Sequence, residues 1–536
     1  MLEDQPEKSD VVVGPETDAA SAKEDTQDEF PHGFKLALLM IALCLSVFLV
    51  ALDITIIATA IPRITDEFDS LGDVGWYGSA YLLALAATQL LYGKFYSFFN
   101  IKWVYIAAVV LFEIGSAVCG AAPSSDALIG GRAIAGLGCA GIFSGGMIIL
   151  AHSVTLEKRP LYTGAVGSMF GIASVAGPLM GGAFTDKVTW RWCFYINLPI
   201  GAVTLFVMVF FFHVPESAKR ERRKISSLWQ FDPLGTLVFI PAIISLLLAL
   251  QWGGSKYAWS NGRIIALFVV FGVLIIAFVA IQLWMKDDAT VPPKVFMVRS
   301  MWSGALFLLC VGAGYLIIVF YLPIWFQAIK NVSPVRSGID NIPLLLSVVV
   351  GSIFSGALVT VTGYYTPFMI LSTVLMTVGA GLLSTFTTTT STGHWIGYQI
   401  CFGLGVGVGL QQPIIAAQNV LPLAQVPLGT SLVMFAQTIG GALFISSAEN
   451  VFTNKLIAGI EKQVPGVSPL VVINAGATEL ASVIDKADLP AVLHVYNHAL
   501  VSAFTVSVAM CGISLVASLA MEWKSIKGKK LEMVAA

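Results

Sequence analysis

The sequence predicts an all-α polytopic membrane protein, and three observations carry that prediction. The 536-residue chain is 57% hydrophobic and only 12% charged, against roughly 45–50% apolar and about 25% charged for an ordinary soluble domain. Thirteen charges, ten acids and three lysines, fall in the first 35 residues, which leaves long stretches downstream almost free of charge. Those stretches recur at bilayer length, since a spanning helix needs about 20 apolar residues. Together these features exclude a soluble enzyme. A net charge of −2 gives no footing for nucleic acid. Seven cysteines, an odd number lying mostly inside apolar runs, read as small core residues and not as disulfides or metal ligands.

Residues 1–35 are acidic and rich in Ser and Thr, which predicts a disordered cytoplasmic tail with no cleavable signal peptide. Fourteen apolar runs follow, at about 36–60, 76–97, 103–122, 126–152, 161–185, 194–214, 232–250, 262–285, 301–328, 337–361, 367–388, 394–416, 428–450 and 498–521. Each is long enough to cross. Between them lie a basic cytoplasmic loop at 215–231, containing Lys219, Arg220, Arg222, Arg223 and Lys224, and a long outer loop at 451–497; a short tail, 523–536, ends the chain. With the N-terminus inside, 19 Lys and Arg face the cytoplasm, 10 face outward and Arg132 lies in the membrane. The positive-inside rule therefore places both termini in the cytoplasm. A weak repeat sets the phase: Gly93, Ser97 and Asn100 follow the second span at offsets that Gly356, Thr360 and Gly363 reproduce after the tenth. That phase gives six-helix bundles at 36–214 and 301–522 with two inserted helices at 232–285. Repeated halves of this kind build binding sites near the bilayer midplane.

Ionisable groups deep in a bilayer cost a few kcal/mol (~2.5–3.5 for Arg or Asp at a helix centre) and mark function by default. Asp53, Glu113 and Arg132 lie about eight, nine and six residues from the outer ends of their spans, a common depth within one helical turn. Two acids and one base leave a surplus negative charge for a proton or a cationic substrate to neutralise. Uncharged polar residues in spans, Gln89, Asn197, Gln327, Gln411, Gln412, Gln418 and Gln437, are candidates for orienting a substrate or for tying helices together. Tyr81, Trp325, Phe326 and Phe435 either line the same cavity or pack the core. Gly403, Gly405, Gly407 and Gly409 lack the βαβ unit of a dinucleotide loop and read as close helix packing, and no phosphate-loop string occurs, so the energy source is expected to be an ion gradient. The outer loop has no His or Cys pair at metal-ligand spacing. The sequon at Asn331 hugs the membrane with Pro334 beyond it, and is expected to stay unoccupied.

Several strings carry a family resemblance: Leu52-Asp53-Ile54-Thr55 to Pro62 in the first span, Gly131-Arg132 with Gly136 and Gly138 in the fourth, and Gly177-Pro178-Leu179-Met180-Gly181-Gly182 in the fifth. Trp190 to Pro199 and Tyr321-Leu322-Pro323 through Gln327 add to it. In this order they resemble the first-span Asp, fourth-span Arg and antiporter motifs of the major facilitator superfamily, in its fourteen-span drug:proton antiporter branch and its fungal multidrug and toxin-efflux members. The resemblance covers about residues 36–522. One departure stands in the loop after the second span, where Ser97 occupies the place of the family's Asp, which puts a charge-relay gate in doubt and leaves Lys94 and Lys102 to anchor helix ends by snorkelling.

The resemblance implies export of small lipophilic organic compounds, a toxin, secondary metabolite or drug, in exchange for protons by alternating access, with no cofactor beyond the proton gradient. Asp53 and Arg132 become a proton-sensitive pair, with a static salt bridge as the alternative, and Glu113 a weaker third member, with a neutral Glu113 bonded to a neighbouring helix as the favoured alternative. Gly177, Pro178, Gly181 and Gly182 become a kinked, closely packed gate between the halves, with plain helix packing as the alternative. Gln89, Gln327, Gln411, Gln437, Trp325 and Phe326 are the candidate cargo-cavity residues. A monomer in the plasma membrane is expected. The rivals are a vacuolar transporter of basic amino acids, opposed by the shortage of intramembrane acids, and a non-transporting nutrient sensor, opposed by the short C-terminal tail.

Overall fold

The computed structural model describes residues 31–70, 73–214, 227–254, 256–477 and 480–527. The acidic segment up to residue 30, the cluster Lys219–Lys224 and the end of the C-terminal tail lie outside the described residues.

The described chain is helical throughout, its only β features being the isolated bridges Gly253–Tyr257 and Tyr364–Ser525. That follows from the solvent, because in hydrocarbon each backbone N–H and C=O must be satisfied within its own segment. The first six long helices are α1 (Phe34–Phe68), α2 (Val74–Phe98), α3 (Ile101–Gly120), α4 (Ser125–Ser153), α5 (Arg159–Lys187) and α6 (Asn197–Phe210). Two more, α7 (Pro233–Trp252) and α8 (Gly262–Met285), form the insert. The C-terminal half holds α9 (Arg299–Lys330), α10 (Ile342–Thr362), α11 (Thr366–Leu383), α12 (Thr392–Gly409), α13 (Gln412–Val420), α14 (Val426–Gln463) and α15 (Leu489–Ala520). The twelfth span is broken: α12 stops at Gly409 and α13 restarts with Pro413 in its first turn, a position where the missing N–H costs nothing.

The internal repeat is visible in the packing. In the first half α3 lies on α4, α1 on α5, α2 on α4, α1 on α6 and α3 on α6. In the second half α11 lies on α12, α9 on α14, α10 on α12, α9 on α15 and α11 on α15, the same five pairings under the expected correspondence, while α14 also packs on α15 with no comparable counterpart among the described residues of the first half. The halves meet along two equivalent seams, α5 with α10 and α2 with α14. The repeated glycines sit on those seams: a Cβ on Gly93 would stand 3.0 Å from Ser431, and one on Gly356 would stand 2.4 Å from the Pro160 carbonyl. Ser97 and Thr360 also match, each hydroxyl donating at 2.9 Å to the carbonyl of the glycine four residues earlier. Ser97 therefore spends its hydroxyl within its own helix.

The insert breaks the symmetry. Helix α7 lies against both α2 and α14 and backs that seam alone, with Phe239 packed on Phe278 of α8 and Phe435 of α14. Helix α8 is the least buried of the long apolar helices. Val269, Val273, Ile276, Val279 and Leu283 form an exposed stripe at helical spacing. Asp232, fully buried, fastens the hairpin: its carboxylate accepts from Gly235 N (2.7 Å), Gln282 Nε2 (2.7 Å) and Thr290 N (2.8 Å). Lys94 does not snorkel. It is buried, and its ammonium donates to the carbonyls of Gln230 (3.1 Å) and Asp288 (2.7 Å), tying α2 to the loops that flank the insert. Lys102 donates to the carbonyls of Val209 and Phe212, the open end of α6.

Three sequence expectations change. Thirteen described helical segments are long and apolar enough to cross a membrane. Helix α2 is not among them, because Trp76, Tyr77, Tyr81, Gln89, Tyr92, Lys94 and Tyr96 dilute its apolarity, although its 25 residues pack as a span does. Helix α1 continues to Phe68, well past residue 60. The outer loop is also shorter than 451–497: α14 runs on to Gln463 and α15 begins at Leu489, with short helices at Pro469–Ala475 and Leu480–Val483 between them. Hydropathy marks where lipid ends, while backbone hydrogen bonding carries a helix on into water.

Candidate functional site

Asp53, midway along α1, and Arg132, in the third turn of α4, face each other with 2.5 Å between Oδ2 and Nη1. Both are buried, within an apolar cluster at one end of the first half built from Leu52, Ile56, Tyr77, Cys119, Leu128 and Phe194 among others. Arg132 is held at several points. Its Nε donates to the Tyr77 carbonyl at 2.7 Å, and its guanidinium lies over the Tyr81 ring at 4.4 Å from the centroid. Only a planar, forked cation serves a carboxylate, a carbonyl and a ring face together.

The second oxygen of Asp53 accepts from Asn197 Nδ2 at 3.1 Å, and the same amide nitrogen lies 3.1 Å from Ser116 Oγ. Asn197 opens α6 directly after the turn Trp192–Tyr195, so the string Trp190 to Pro199 delivers an amide to the first-span acid. The sequence reading grouped Asn197 with the substrate-orienting polar residues. Its place among the acids arises from tertiary packing, since 144 residues separate it from Asp53. Glu113, one helical turn before Ser116 on α3, is buried, and neither carboxyl oxygen has a hydrogen-bond partner. It lies against Gly201 of α6, where a Cβ would stand 1.8 Å from Oε1. The three ionisable groups predicted at one depth thus share one layer, in which Asp53 and Arg132 neutralise each other and Glu113 has no counter-charge.

The antiporter string faces two ways. A Cβ on Gly177 would stand 2.2 Å from Thr55 Oγ1, and one on Gly181 2.3 Å from Thr59 Oγ1, so these glycines seat α5 on α1 within the first half. Gly182 has open space, and Pro178 meets the other half at Gly338, 3.8 Å from a Cβ built there. Close approach between the halves uses the earlier turns of α5, where a Cβ on Gly164 would meet the Ser352 carbonyl at 2.5 Å.

The candidate cargo residues separate. Gln89 reaches across the α2/α14 seam to Thr438 Oγ1 (3.1 Å). Gln411, at the break between α12 and α13, lies over Gly167 of α5. Gln437 is half-buried on α14, the helix of the other seam. Gln327 donates to Ser337 Oγ at 3.0 Å within the second half. Trp325 and Phe326 pack into the core of the second half: Trp325 donates through Nε1 to Asn497 (2.8 Å) and rests on Phe386, and Phe326 sits edge-on to Trp395. Their side of α9 faces the helices of its own half, a choice that aromatic content does not reveal. Asn331 is exposed and ends α9 with a left-handed backbone, φ 51°.

The model of the Major Facilitator Superfamily matches residues 43–445 of the chain. Among curated proteins, an MFS-type efflux pump, MFS1, of Arthroderma benhamiae is 57% identical and aligns over 100% of both chains. Efflux pump roqT of Penicillium rubens is 55% identical over 91% of each chain, and efflux pump aflT of Aspergillus parasiticus is 52% identical over 92% of this chain and 97% of its own. Among solved structures, the human organic anion transporter MFSD10 superposes with a TM-score of 0.61 at 12% identity, over 92% of this chain and all of its own. A proton:xylose symporter superposes with a TM-score of 0.56 at 14% identity, over 90% of this chain and 94% of its own. These two share the fold.

Proposed function

The chain belongs to the major facilitator superfamily, and from that membership we propose that it is an efflux transporter that expels small lipophilic organic compounds, such as secondary metabolites or toxins, in exchange for protons. Export rests on the end-to-end identity of 57% with a fungal efflux pump. Proton coupling rests on one observation: a buried layer holding two carboxyls and one guanidinium, with no further counter-charge among the described residues.

The coupling follows from that bookkeeping. Protonating Glu113 removes an uncompensated charge from an apolar wall without disturbing the pair. Protonating Asp53 releases Arg132, which keeps its hold on the Tyr77 carbonyl and the Tyr81 ring, and frees α1 from α4. Asn197 links the two events, because its amide bridges Asp53 and Ser116, the latter on the helix of Glu113. Since α1 packs on α5, and α5 forms one seam with α10, a change at Asp53 reaches the contact between the halves in two helix–helix steps. Cargo is carried between the halves as they rock about that contact.

Retention of a fluorescent lipophilic dye tests the proposal in cells expressing the intact chain, its Asp53→Asn variant, or neither, each with and without a protonophore. Lower retention with the intact chain alone, abolished by the protonophore, is the expected result. Unchanged retention by an intact chain present at the cell surface overturns broad lipophile export, and export that persists with protonophore overturns proton coupling.

A further inference from the structure

Amides cross between the two halves at the broken twelfth span. Gln411 and Gln418 stand seven residues apart on one face of the broken twelfth span, and both reach the first half. Gln411 is 5% exposed, lies over Gly167 of α5, where a Cβ would stand 2.0 Å from Nε2, and leaves its Oε1 without a hydrogen-bond partner. Gln418 is 4% exposed; its Nε2 donates to the Met147 carbonyl of α4 at 3.3 Å, and its Oε1 has no partner. Because a carbonyl only accepts, the end of Gln418 that faces Met147 must be nitrogen, which fixes the unpaired end as an acceptor. Ser144, one turn before Met147 on α4, is fully buried with its hydroxyl also unpartnered.

Buried polar atoms in native proteins are nearly always paired, so this grouping at a seam that must open calls for an explanation. A cargo that supplies hydrogen-bond donors is one. Resting on the efflux reading above, we propose that Gln411 and Gln418 read the cargo, and that they select a neutral molecule with an apolar skeleton bearing hydroxyl or amide N–H donors, over a donor-free ether and over an organic anion. While the Gln418–Met147 bond holds, Gln418 presents a fixed acceptor to the cargo, with an adaptable amide two turns away. An analogue that lacks the donor leaves the acceptor buried and unpaired, which is how polar sites reject such molecules. An anion gains nothing from either amide oxygen. Arg159, buried at the cytoplasmic start of α5 with its Nε on the Val154 carbonyl, is the cation against which this selectivity is tested.

The test is calorimetric binding to the full chain in nanodiscs, using para-hydroxybiphenyl, its methyl ether and the corresponding carboxylate. The phenol is expected to bind about tenfold or more tightly than the ether, roughly one neutral hydrogen bond, with the carboxylate weakest. Gln418→Leu and Gln411→Leu each narrow that gap and together close it, whereas Val273→Leu on the lipid face of α8 preserves it. Gly167→Ala, which displaces the Gln411 amide without removing it, narrows the gap independently, so a misfolded glutamine variant does not decide the outcome. Equal affinity for phenol and ether, tightest binding of the carboxylate, a gap that survives in all variants, or no binding of any probe overturns the proposal. The efflux reading is judged separately: dye export without a phenol–ether gap removes this inference alone, and a gap without export removes the efflux reading alone.

Discussion

Arg132 does three jobs with one planar group, and its substitutions separate them. Arg132→Ala leaves Asp53 buried without its cation and is expected to cost about 3–5 kcal/mol of stability, read as a fall in the melting temperature of the purified protein. Arg132→Lys keeps the charge but loses the fork that serves Asp53 and the Tyr77 carbonyl together, and is expected to reduce export while preserving most of the stability. Gln at position 113 has the shape of a protonated carboxyl. Glu113→Gln should therefore leave the protein folded and flatten the pH dependence of dye export; a profile identical to that of the intact chain assigns Glu113 to packing alone. Asp53 and Arg132 were legible as residues because charge is conspicuous in an apolar span. Asn197 and Gly201 were not legible as their companions, since an amide and a glycine gain meaning only from the carboxyls that the fold sets against them.

Helices α7 and α8 are fastened by polar groups where the start of α7 meets the end of α8, and the insert should detach when that fastening is cut. Asp232→Ala strands three buried donors and is expected to cost at least about 2 kcal/mol, seen as a lower melting temperature and faster proteolysis within the insert. A melting temperature equal to that of the intact chain would show that lipid and apolar packing alone hold the hairpin. The join between α15 and α9 carries a pH signature. The Ser300 hydroxyl (2.6 Å) does most to hold the Glu522 carboxyl below its ordinary range, opposed by burial and assisted by Lys524 (3.1 Å). A carboxyl lowered in the folded state contributes stability above its unfolded value, about 4.5, and loses it as pH falls through the lower folded value. Between pH 6 and 3 the intact chain should therefore lose more melting temperature than Glu522→Gln. Parallel curves would remove Glu522 from the pH response.

At the scale of the whole molecule, the proposed export requires the α5/α10 seam to part for cargo to enter from the cytoplasm. Gly164 and Gly356 set its closeness, at the Ser352 and Pro160 carbonyls. Gly164→Leu is expected to wedge the halves apart there and to lower export at least about tenfold in dye retention, with folding preserved because each half keeps its own packing graph. Full export by that variant would mean that the seam does not need close contact. The other seam is backed by α7, so the same wedge at Gly93 presses on Ser431 and is expected to cost stability as well as export.

The sequence by itself determined the membrane class, the phase of the repeat and the choice of Asp53, Glu113 and Arg132 as the ionisable groups of the spans, because hydropathy and charge in hydrocarbon are local properties with large energies. Only the tertiary structure decided direction: that Gly177 and Gly181 face α1, that Lys94 holds the insert, that Trp325 and Phe326 turn into their own half, and that Gln411 and Gln418 cross between halves. A helix that is apolar all round carries almost no periodic record of which side meets a partner and which meets lipid, so rotation about its axis is set by neighbours hundreds of residues away.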